Sequence, residues 1–78
     1  MTLRVITTSC KFERDVIEYV VEYAERFPDM RNHQILDSVE EYTERQLTEV
    51  EENIVIAAYN YGIQGAAQAA RAWGIEIQ

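Results

Sequence analysis

The sequence has a single cysteine, Cys10, and a single histidine, His33. A disulfide within the chain is therefore excluded, and a zinc site of the cysteine–histidine kind lacks its ligands. Proline occurs once, at Pro28, and glycine three times, at Gly62, Gly65 and Gly74. With so few breakers, long stretches are free to be helical, and nothing reads as a linker or low-complexity segment. No run of ~20 apolar residues could span a bilayer. Met1 to Thr8 lacks the long apolar core of a signal peptide. Together with the unpaired cysteine, this points to a reducing cytoplasm. Bases are scarce, seven against fourteen acids, for a net charge of −7. Affinity for nucleic acid comes largely from lysine and arginine on phosphates. Direct binding to nucleic acid or to an anionic membrane is therefore not expected; the acidity favours a basic protein partner or serves solubility alone. No nucleophile–base pair, phosphate-binding loop or metal cluster is visible, so we expect neither an enzyme nor a cofactor.

What the chain does have is apolar and acidic. At 78 residues and 47% apolar content it reads as one small helical domain. Such domains have cores worth only ~3–5 kcal/mol and commonly need a disulfide, a metal or a partner subunit. With the first two excluded, self-association is the remaining aid.

The stretch Asn53–Trp73 is the piece to bury, since Arg71 is its only charged residue. It reads as two helices joined by a turn at Gly62-Ile63-Gln64-Gly65, the second ending at Gly74. Thr48 with Glu51 forms a capping box at its start. Glu49, Glu51 and Glu52 suit the positive end of that helix dipole. Before it, Phe12, Val16, Val20, Ala24 and Phe27 keep helical spacing, widened by Ile17 and Val21. Thr8 or Ser9 can cap this first helix, and Pro28 ends it. Asp29 can cap a second helical segment through Leu47. That segment is either continuous or broken at Ser38, which with Glu41 makes another capping box. Leu3–Thr8 is rich in β-branched residues and can pair with Ile75-Glu76-Ile77. The expected fold is all-α, a compact bundle of three to four helices. It has an alanine-rich C-terminal helical hairpin and a minor β-pair between the termini.

Charge is segregated along the chain. From Glu13 to Glu52 there are thirteen acids and four bases, a net of −9. Asp15, Glu18, Glu22 and Glu25 fall on one face of the first helix, over ~15 Å at ~1.5 Å per residue. That is one charge every ~5 Å, against ~3.4 Å per phosphate along a DNA strand. Such a face can occupy a basic nucleic-acid groove on another protein. Tyr19 and Tyr23, one turn apart, flank Glu18 and Glu22. Tyrosine is enriched at interfaces because it joins apolar area to a polar tip. The expected partner-binding residues are Asp15, Glu18, Tyr19, Glu22, Tyr23, Glu40, Glu41 and Glu44.

Other features carry less. Ala66 to Ile75 has the look of the first helix and turn of a helix-turn-helix, but only Glu76-Ile77-Gln78 follow, too few to fill a major groove. His33 lies in a polar run and reads as a surface residue. Cys10, near a helix start where a thiolate can be favoured, reads as inert. The second expectation is a homodimer, structural or transcription-regulatory, built on Ala66, Ala70 and Trp73, because alanine lets helices approach closely.

The segment Ile35-Leu36-Asp37-Ser38-Val39-Glu40-Glu41-Tyr42, followed by a capped helix, resembles a pattern in short helical proteins of phages and mobile elements. It covers about a third of the chain. Some small acidic proteins of that kind inhibit host restriction or CRISPR machinery. The resemblance implies an origin more than an activity, and it carries no functional residues with it. Joined to the acidic face, it makes the leading expectation a binding module, in its most specific form an inhibitor covering a basic nucleic-acid-binding surface of a defence protein.

Overall fold

A computed structural model describes residues 11–77. The order is β1 (Lys11–Phe12), α1 (Arg14–Arg26), α2 (Asn32–Thr43), α3 (Glu49–Ala72) and β2 (Glu76–Ile77). The fold is the expected all-α bundle, with α1 and α2 packed on α3 and one short strand pair. No helix among these residues is long and apolar enough to cross a membrane.

The strand pair is parallel, with Lys11 opposite Glu76 and Phe12 opposite Ile77. Its C-terminal half is the one expected, but its described partner is Lys11–Phe12. Leu3–Thr8, the strand expected there, lies outside the described residues, as do Cys10 and the caps expected at Thr8 and Ser9. α1 begins later than a cap at either would imply, with Glu13 as its N-cap. Phe12 keeps the expected spacing to Val16, yet it is an extended residue, and it is buried to 1% exposure. Val16, Ile17 and Val20 form the buried face of α1, while Phe27 ends the stripe half-exposed. Phe27 adopts φ −131°, ψ 73° ahead of Pro28, whose ring disfavours helical geometry there.

α2 is one helix and does not break at Ser38. It starts at Asn32, not after Asp29. The Gln34 side chain accepts the Arg31 N–H at 3.0 Å. The helix ends at Thr43 and does not reach Leu47. Glu44 caps it in the left-handed conformation (φ 59°). Leu47 is buried from the following loop. A hydroxyl on α3 pins the α1–α2 turn: Tyr59 donates to the Phe27 carbonyl and accepts the Met30 N–H at 2.9 Å.

The Thr48–Glu51 capping box forms as expected. Glu51 N–H donates to Thr48 Oγ1 at 3.2 Å, and Thr48 N–H donates to Glu51 Oε1 at 2.9 Å. α3 then runs to a kink at Gly62 (φ 78°, ψ −163°), which divides it into two arms. The bend brings Gly65 against the first arm so closely that a Cβ there would sit 2.4 Å from Tyr61 Cβ and 2.8 Å from the Ala57 carbonyl oxygen. Ile54, Val55 and Ala58 from one arm and Ala66 and Ala70 from the other enter one core with the α1 and α2 residues. The second arm closes at Gly74 (φ 72°), where Gly74 N–H donates to the Arg71 carbonyl and Ile75 N–H to the Ala70 carbonyl. That pair of bonds is the Schellman arrangement, and it turns the chain into β2.

One expectation is overturned here. Ala66 and Ala70, placed at a dimer interface, are 0% and 1% exposed within the chain itself. Small side chains let the second arm of α3 sink into its own core, so neither alanine is available to a second copy. Trp73, the third residue of that set, is 56% exposed.

Candidate functional site

Two helices build the site. On α1 the apolar positions face α3, and a rotation of 100° per residue puts Asp15, Glu18, Glu22 and Glu25 on the outer side. All four are exposed. Tyr19 and Tyr23 lie at the boundary between these sectors and are half-buried. α2 repeats the arrangement: Ile35 and Val39 are buried, Ser38 and Tyr42 are at the boundary, and Asp37 and Glu41 are exposed.

The boundaries meet. Tyr19 shares a 2.7 Å hydrogen bond with the Ser38 hydroxyl. Its ring stacks on that of Tyr42 with centroids 4.2 Å apart and planes 9° apart. Tyr23 adjoins Tyr19 at 5.7 Å, and Phe27 adjoins Tyr23 at 4.9 Å. The result is a ladder of four rings along the α1–α2 seam, with carboxylates of α1 beside it. Asp15, Glu18, Tyr19, Glu22 and Tyr42 line one open groove. Tyr19, Glu22, Tyr23, Arg26 and Phe27 line a neighbouring one. Tyr42 and Phe27 are 50% and 49% exposed.

The carboxylates differ in what they already hold. Glu18 pairs with Arg14 at 3.7 Å, an exposed i,i+4 contact of small energetic weight. Asp15 and Glu22 form no ion pair among the described residues. Three other acids are engaged structurally. Arg45 reaches Glu13 at 2.8 Å and Glu51 at 3.0 Å, tying the start of α1 to the start of α3. Hydrogen bonding to Glu51 is the main effect raising the Arg45 pKa; burial, next in size, opposes it, and the hydrogen bond to Glu13 adds to the rise. Glu40, expected on the binding face, accepts the Leu47 N–H at 3.1 Å and holds the α2–α3 loop. Glu44 is exposed, but its backbone is the α2 cap, on the loop and off the seam.

Of the expected binding residues, the structure thus brings together Asp15, Glu18, Tyr19, Glu22 and Tyr23. Glu41 lies one step around α2 from Tyr42, while Glu40 and Glu44 serve the loop. Tyr42 and Phe27 belong to the seam and were not expected there. The signal was present in part, since Ser38 and Tyr42 are one turn apart just as Tyr19 and Tyr23 are. What pairs the two turns is the packing of α2 on α1. His33 is exposed, and among the described residues no three histidine, cysteine or acidic side chains are grouped as metal ligands would be.

Compared with family models, curated proteins and solved structures, the chain matches none.

Proposed function

We propose that the chain is a non-enzymatic protein-binding module that docks its α1–α2 seam on a basic surface of another protein. The observation that carries this is the ring ladder of Tyr19, Tyr23, Tyr42 and Phe27 running beside Asp15 and Glu22, which lack cationic partners among the described residues. Rings supply contact area, and the carboxylates supply charge that steers a basic partner and rejects an acidic one. In its most specific form the module is an inhibitor from a phage or mobile element. It would lie along a nucleic-acid groove of a host defence protein, of the anti-CRISPR or anti-restriction kind. The spacing of carboxylates along a rigid α1 supports that form.

Capture of proteins from a host lysate tests the reading, with the wild type and the Glu18→Lys/Glu22→Lys double variant side by side. Binding is expected to fall as salt rises and to be lost in the variant. Partners retained equally by both, or insensitive to salt, would refute it.

A second reading, self-association, draws on the exposure of Tyr61, Ile63 and Trp73 at 77%, 47% and 56%. Sedimentation equilibrium separates the two, since a chain that stays monomeric when concentrated does not use these residues for dimerisation.

A further inference from the structure

We infer that the groove between α1 and α2 receives an arginine side chain of the partner, in preference to a lysine. This rests on the reading of the chain as an acidic docking module. Carboxylates alone would select only for positive charge. The seam adds a near-parallel ring pair, Tyr19 on Tyr42, bordering the same groove as Asp15, Glu18 and Glu22. Tyr42 has one ring face against Tyr19 and half of its surface open. The groove, about 360 Å³, is wide open to solvent, as suits a side chain carried on a partner.

A guanidinium is planar. It stacks on an aromatic face while its edge N–H groups point outward in its own plane, parallel to the ring, where they can donate in pairs to carboxylates. Its weak hydration makes the transfer from water easier than for an ammonium. A lysine satisfies the charge but neither stacks nor donates in that fork. The chain's own cations leave room for the guest. Arg14 holds Glu18 from the side at 3.7 Å, and Arg26 borders the neighbouring groove without an ion pair among the described residues. The charge balance of the groove therefore still favours an incoming cation.

Two unstructured peptides of equal length and charge test this, one with arginine as its only cation and one with lysine. Each is titrated against the full chain as wild type, Tyr42→Leu, Tyr42→Phe and Glu18→Lys/Glu22→Lys. The arginine peptide is expected to bind about two- to fivefold tighter for each stacked side chain. Tyr42→Leu should bring it down to the level of the lysine peptide, and Tyr42→Phe, which keeps the ring, should preserve the preference. Ring-current shifts of arginine side-chain protons on binding the wild type give a readout that does not depend on the leucine variant folding. Equal affinity for the two peptides, or absent ring-current shifts, overturns the arginine assignment. If the glutamate reversals still weaken both peptides in that case, the acidic-module reading stands without it. If they weaken neither, the module reading itself falls.

Discussion

Gly65→Ala sets two physical effects against each other, and their signs differ. In an ordinary helix interior, alanine is favoured over glycine by ~0.5–1 kcal/mol, chiefly because glycine loses more freedom on folding. Gly65 is helical, so that gain would apply if its surroundings were open. They are not: the added Cβ would stand 2.4 Å from Tyr61 Cβ and 2.8 Å from the Ala57 carbonyl oxygen. Neither atom is the far end of a flexible side chain. Relief requires the two arms of α3 to separate, which also loosens Ala58, Ala66 and Ala70 in the core. Overpacking of this kind costs about 1–3 kcal/mol, more than the helix gain. Net destabilisation is expected, with each kcal/mol lowering Tm by roughly 4–8 °C in a domain of this size. Urea unfolding followed by circular dichroism and Trp73 fluorescence measures it. Gly62→Ala provides the contrast, because no atom lies within 4 Å of its Cβ but φ 78°, ψ −163° is a backbone state close to glycine-only. Its cost, ~1–3 kcal/mol, is conformational, and D-alanine escapes it because the mirror image of that state is ordinary extended backbone. A Gly65→Ala protein as stable as the wild type, or more so, would refute the close approach of the arms.

Two further outcomes follow from the helix ends. Thr48→Ala removes the acceptor for Glu51 N–H and should lower stability by ~1 kcal/mol in the same unfolding assay. Glu44→Gly should instead raise it by up to ~1 kcal/mol, because Glu44 holds a left-handed conformation (φ 59°) that L-residues with a Cβ resist. A loss of stability there would mean that the carboxylate, and not the backbone, sets that cap.

Much of the bundle was legible because its signals are local. Pro28 stops α1, the Thr48–Glu51 box starts α3, and Gly62 and Gly74 mark its bend and end. Each is a short-range steric or hydrogen-bonding effect. Expectations failed where two segments far apart in sequence decide the outcome. Ser38 and Glu41 spell a capping box as clearly as Thr48 and Glu51 do, but the Ser38 hydroxyl is taken by Tyr19, nineteen residues away. Phe12 keeps helical spacing to Val16, and its pairing with Ile77 makes it a strand residue instead. The alanines of α3 suit close packing on any neighbour, and spacing does not say whether that neighbour is a second chain or the same one. The candidate site divides in the same way. The acidic face and Tyr19 and Tyr23 follow from one helix, whereas Tyr42 joins them only through the register of two.

The parallel sense of β1 and β2 has a mechanical consequence. A pull applied through residue 11 and residue 77 draws two parallel strands in opposite directions along their common axis. The ladder is then loaded in shear, so its hydrogen bonds share the force at once instead of opening one after another as in a peeled hairpin. Short as it is, this pair acts as a clasp that resists extension of the bundle from its two ends, and α1 and α3 begin to part only after it gives way.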